Sequence, residues 1–110
     1  MDYIVIFVST GSAEEGSKIA KMLVNDSLAA CVNLIPAVRS FYLWDDMLQD
    51  EQETLLIIKT VATNYSKIES AILKEHSYET PEIIAIKVAG GSQNYLDWIV
   101  SATKKENYNK

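Results

Sequence analysis

The sequence predicts an α+β domain in which one antiparallel sheet carries two helices on one face and a further helix follows at the C-terminus. Three observations predict it. Apolar residues alternate between extended runs and a three-to-four spacing in the order β-α-β-β-α-β-α. Two long extended stretches stand back to back, separated only by Asp45-Asp46, which makes them a hairpin. The 110 residues fit one domain and leave little room for a second.

Each element has its own signal. Tyr3 to Val8 is an unbroken run of β-branched and aromatic residues, as suits a central strand covered on both faces. Ser9-Thr10-Gly11-Ser12 breaks it. Ile19, Met22 and Leu23, with Gly16 and Ala20 beside them, predict an amphipathic helix over Ala13 to Asn25. Ser12 stands at its N-cap, and Glu14 and Glu15 suit the positive end of the helix dipole. From Ala30 to Trp44 the pattern is extended, and Pro36 inside it marks an edge or a bulge. The next extended stretch runs from Met47 through Leu55-Leu56-Ile57-Ile58 to Thr60. Tyr65, Ile68 and Ile72 mark a second helix ending near His76, and Ile83 to Val88 is a fourth strand closed by Gly90-Gly91. Ser92 caps a last helix carrying Tyr95, Leu96, Trp98, Ile99 and Ala102, and the polar tail from Lys104 to Lys110 is expected to fray. Two βαβ-like halves joined by a hairpin make the ferredoxin-like βαββαβ arrangement, with the first and third strands central.

The hairpin is too long for its own globule. A strand of about 15 residues spans roughly 50 Å at about 3.3 Å per residue. A compact chain of this size is about 35 Å across, from a radius of gyration of ~13 Å. The far end carries Phe41, Tyr42, Leu43 and Trp44, an apolar arm that needs cover. The expectation is a bend at Pro36 that aims the arm at a neighbouring subunit.

Composition excludes several classes. The net charge is −5 and the pI about 4.8, with no run of Lys or Arg, so binding to a phosphate backbone is not expected. A single cysteine, Cys31, allows no intramolecular disulfide and fits a reducing compartment, so the expected location is the cytoplasm. No apolar run is long enough to span a bilayer.

Five segments in order carry a resemblance. They are L-A-A-C-V-N-L-I-P-A-V at Leu28 to Val38, F-Y-L-W at Phe41 to Trp44, L-L-I-I-K-T ending at Thr60, H-S-Y-E-T-P-E-I at His76 to Ile83 and N-Y-L-D-W at Asn94 to Trp98. From Ile4 to Thr103 the chain resembles the CutA divalent-cation-tolerance family. The resemblance implies a ferredoxin-like protomer in a tight homotrimer, with the hairpin reaching across subunits and clefts between them. It also implies a link to divalent-cation tolerance, copper above all, and a trimer similar to the PII signalling proteins. Where the family has E-G-K, H-P-Y and a glycine after the proline, this chain has Asp45-Asp46-Met47, His76-Ser77-Tyr78 and Ala37. A first-strand cysteine proposed as a copper ligand in some members is Ser9 here.

The candidate chemistry divides in two. His76 is the only histidine, and an imidazole suits Cu²⁺ or Zn²⁺, with Glu79 and Glu82 close in sequence as oxygen ligands. The alternative places His76 at a helix C-terminus, favoured by the dipole. Tyr42, Trp44, Tyr78 and Trp98 either anchor a subunit interface or line a ligand cleft between subunits, where Arg39, Lys59 and Tyr78 would contact an anionic ligand. Cys31 falls in an apolar strand pattern and reads as a small buried hydrophobe. No phosphate loop, H-E-x-x-H, paired C-x-x-C or catalytic triad is present, so the chain is read as non-enzymatic, with no required cofactor. Two functions are carried forward: a trimeric cation-tolerance protein, with direct metal binding as its sharper form, and a PII-like sensor holding a small metabolite between subunits.

Overall fold

The structure, a computed structural model, describes residues 1–104. The order is β1 (Tyr3–Thr10), α1 (Ala13–Asn25), β2 (Cys31–Trp44), β3 (Met47–Val61), a 3-10 turn (Ala62–Asn64), α2 (Tyr65–Glu75), β4 (Ile83–Lys87) and α3 (Gln93–Thr103). The four strands form one antiparallel sheet ordered β2-β3-β1-β4. The two strands with unbroken apolar runs are central, as expected. β1 runs two residues past Val8 because Ser9 and Thr10 still find partners, Leu55 and Thr54, on the long β3. The Thr10 hydroxyl donates to the Ser12 carbonyl at 2.8 Å, so a polar residue ends the strand fully buried. Of the expected frayed tail, all but Lys104 lies outside the described residues.

Alternation sorts the sheet into two faces. Ile4, Ile6 and Val8 of β1 and Leu56 and Ile58 of β3 point to one side, where Ile19 and Leu23 of α1 and Ile68 and Ile72 of α2 close over them. The N-cap is as expected, with the Ser12 Oγ accepting from the Glu15 N–H at 3.1 Å. α3 takes the other face, where Ile99 packs on Ala30, Val61 and Tyr3. It covers only one end. Val5, Phe7, Leu55 and Ile57 are half-buried there, and Ile84 and Ile86 of β4 are about half exposed.

The bend at Pro36 is present. β2 and β3 pair from Cys31–Lys59 to Ile35–Leu55, lose register, and resume at Val38–Glu53. Pro36 and Ala37 therefore oppose Thr54 alone, a bulge in which proline has no N–H to lose. Ala37 sits at φ 67°, the left-handed region that costs an L-residue roughly 1–2 kcal/mol. Replacing Ala37 with glycine is expected to raise stability by about 1 kcal/mol, after the extra entropy of the unfolded glycine is counted. Denaturant unfolding checks it, and an unchanged midpoint would mean that the bulge stores no strain. Beyond it the arm runs to a two-residue turn in which Asp45 and Asp46 both have positive φ. The long axis is 46 Å and the radius of gyration 14.7 Å, above the ~13 Å of a compact chain of this length. No helix among the described residues is long and apolar enough to cross a membrane.

Candidate functional site

The site grows from the segment that leaves α2. His76 is the C-cap; its N–H still donates to the Ile72 carbonyl at 2.8 Å, but its backbone is extended and turns the chain toward β1. The residue is only 9% exposed. Its Nε2 lies 2.7 Å from the Ser9 carbonyl and its Nδ1 3.0 Å from the Tyr78 amide nitrogen. A backbone amide only donates, so Nδ1 supplies its lone pair and Nε2 carries the proton given to Ser9. His76 thus staples this loop to the end of β1, with Glu15 Oε2 3.6 Å from its Nδ1.

Glu15 makes the second staple. Its carboxylate accepts from the Ser77 N–H at 2.7 Å and from the Ser77 hydroxyl at 3.1 Å. Burial pushes the Glu15 carboxyl up. The two Ser77 bonds, the field of any positive charge on His76 and the Gly11 amide outweigh it, and the group lies below its ordinary value of 4.5.

Tyr78 follows, its ring 4.8 Å from that of His76 and tilted by 48°. Gly11 leaves it room, since a Cβ there would stand 3.2 Å from the Tyr78 hydroxyl oxygen. That hydroxyl donates to Glu53 Oε2 at 2.8 Å. Burial first, and then the Glu53 carboxylate that takes its proton in a hydrogen bond, hold the phenol far above its usual 10. Between this loop and one side of the arm opens a cleft of about 540 Å³, walled by Tyr42, Trp44 and Tyr78 and by Glu53, Glu79 and Glu82. Among the described residues no Lys, Arg or His lines it.

The sequence-predicted residues divide accordingly. Tyr42, Trp44, Tyr78, Glu79 and Glu82 meet at the cleft, and Arg39, Lys59, Trp98 and His76 do not line it. Arg39 is held by Asp50 through two bonds of 2.9 and 2.8 Å and lies 5.1 Å above the Phe41 ring. Lys59 donates to Asn33 Oδ1, and Trp98 stands beside Tyr95 on α3, ring centres 5.5 Å apart. The His76–Glu79–Glu82 ligand set is not assembled. His76 has both nitrogens engaged, and among the described residues no group of three or more His, Cys, Asp and Glu could hold a metal ion. The residues present therefore do not fit a copper or zinc centre of the expected kind. Cys31 is half-buried rather than in the core. Sequence reasoning missed Glu53, which shares the strand parity of Leu55 and Ile57 and is 7% exposed, a buried acid where the stripe passes from polar to apolar.

Comparison with known proteins agrees with this architecture. A family model for the CutA1 divalent ion tolerance protein matches residues 4–102. The chloroplastic CutA of Arabidopsis thaliana is 39% identical over 101 residues, which is 92% of this chain but 56% of that protein. The chain thus spans a little over half the length of this plant relative. The divalent-cation tolerance protein CutA of Thermus thermophilus is 39% identical over 95 residues, 86% of this chain and 92% of that one. The crystal structure of CutA1 from Oryza sativa superposes with a TM-score of 0.93 at 34% identity, covering 96% of this chain and 97% of its own. That of the Archaeoglobus fulgidus CutA, described as periplasmic, gives 0.90 at 35% identity, covering 92% and 98%. With the fold, the bulged arm and a match along nearly the whole chain in agreement, this chain belongs to the CutA1 divalent ion tolerance protein family.

Proposed function

We propose that the chain serves divalent-cation tolerance as a non-enzymatic homotrimer in the cytoplasm, without His76 as a metal ligand. The observation that carries the assembly is the arm. Phe41, Leu43, Trp44, Met47 and Leu48 are 57–69% exposed at its end, apolar surface that a lone protomer leaves in water. A second copy supplies a matching surface in the uncovered sheet face around Ile84 and Ile86. The number three is what the family resemblance implies. The absence of chemistry is supported by the side chains that would perform it: the one histidine is spent on two backbone groups, and the Tyr78 phenol is held protonated. The single Cys31 supports a reducing location. Light scattering at micromolar concentration should give three times the 12.3 kDa chain mass, and Leu43→Glu should lower it. A monomeric wild type overturns the proposal.

The cleft favours a second reading, a PII-like sensor that holds a small organic ligand beside the arm. Its volume of about 540 Å³ lies in the range of small-molecule sites, and it has the mixed aromatic and polar walls of one. Native mass spectrometry of gently purified protein should then show a stoichiometric organic adduct; bound metal alone would favour the first reading.

A further inference from the structure

We infer that the cleft along the arm binds an organic cation, a small molecule carrying a substituted ammonium or guanidinium group on an apolar body. The inference rests on the reading of this cleft as a ligand site and names the ligand's chemistry. Four features of the walls select it.

Charge comes first. Glu53, Glu79 and Glu82 line the cleft and, among the described residues, no basic side chain does, so a phosphate or carboxylate ligand would meet like charge on these walls. Spacing comes second. The carboxylates share one cleft, yet no three metal-ligating side chains among the described residues come close enough to hold one ion. A bare divalent cation needs converging oxygens; a bulkier cation meets dispersed carboxylates and fills the volume.

The aromatic walls are the third feature. Tyr42, Trp44 and Tyr78 offer ring faces that attract ammonium and guanidinium groups, Trp most strongly. Because the Tyr78 hydroxyl is committed to Glu53, this residue has its ring rather than its proton to offer a ligand. Glu53 is the fourth. It is 7% exposed, and its hydrogen bond comes from a neutral phenol to Oε2 alone. No partner is assigned to Oε1, and no side-chain oxygen among the described residues is both fully buried and unbonded, so Oε1 remains open to an incoming group. A cation entering the cleft meets this open oxygen in a charge-assisted hydrogen bond.

The test uses three probes of matched shape, benzyltrimethylammonium, benzyl alcohol and benzenesulfonate, titrated into the full chain by calorimetry and ligand-observed NMR. Wild type should bind the ammonium probe at least tenfold more tightly than the other two. Glu53→Gln keeps the shape of the side chain and an acceptor for Tyr78, and should weaken the ammonium probe at least tenfold. Glu82→Gln, nearer the rim, provides the same comparison should Glu53→Gln fail to fold. Glu14→Gln, on the exposed first turn of α1, should change nothing. Equal or tighter binding of the sulfonate overturns the cationic assignment while leaving a ligand site in place. Binding of none of the three, as when a neighbouring subunit already plugs the cleft, overturns the ligand-site reading itself.

Discussion

Replacing His76 with alanine is expected to cost about 3 kcal/mol of stability while leaving copper affinity unchanged within twofold. The cost has two parts. Removing a buried ring leaves a void among packed side chains. It also leaves the Ser9 carbonyl and the Tyr78 amide without the partners now 2.7 and 3.0 Å away, and an unpaired buried polar group costs roughly 1–3 kcal/mol. His76→Gln retains an acceptor and a donor on one side chain and should recover about half of the loss. Denaturant unfolding at fixed protomer concentration measures the stability arm, since association adds to apparent stability. Calorimetry with copper and with zinc in a non-chelating buffer measures the other. The copper result follows from the lone pairs: binding a metal at Nδ1 would first displace the Tyr78 amide, and Nε2 already carries a proton. A tenfold loss of copper affinity with unchanged stability would return His76 to the role of ligand.

The contrast between what the sequence shows of this site and what it hides is physical. Pro36 announces the bulge because a proline inside a strand pattern has no ladder hydrogen bond to give, and the register breaks between Ile35 and Val38. Ser12 announces α1 because capping is local chemistry between residues three apart. The arm is legible from length alone. The partners of His76 are not, because Ser9 lies 67 residues away and contributes a backbone carbonyl, which no side-chain pattern can signal. Glu15 reads locally as a residue suited to a helix N-terminus, yet its carboxylate is spent on Ser77, 62 residues on. The motif residues His76 and Tyr78 are singled out by type: His76 stands here as a staple, which no side-chain pattern announces, and Tyr78 walls the cleft, one of the roles its type offers. Arg39 and Lys59 stay out of the protomer's own cleft for a related reason. Each long cation finds a neighbour on the paired strand, Asp50 or Asn33, before it reaches the cleft.

Replacing Gly16 with leucine is expected to cost about 3 kcal/mol, while alanine at the same position should be nearly neutral. Gly16 is where α1 comes closest to the sheet: a Cβ there would lie 3.1 Å from Leu56 Cδ1 and from Thr10 Oγ1, and 3.3 Å from Thr54 Cγ2. None of the three retreats easily. Leu56 and Thr10 are fully buried, and the Thr10 hydroxyl is tied to the Ser12 carbonyl. A single methyl needs shifts of a few tenths of an ångström, and the gain of about 1 kcal/mol in helix propensity over glycine offsets them. A leucine side chain has no such space, and overpacking of this kind costs about 1–3 kcal/mol, toward the upper end against a buried sheet. The effect reaches the cleft, because Glu15 precedes Gly16 and its carboxylate holds Ser77, the residue before Tyr78. Lifting α1 from the sheet therefore loosens one aromatic wall, and Gly16→Leu should lose near-UV dichroism from Tyr78 together with its stability. Gly16→Ala should keep both. A leucine variant as stable as wild type would mean that α1 does not dock on the sheet at Gly16, and the positions of Glu15 and of the cleft wall would fall with it.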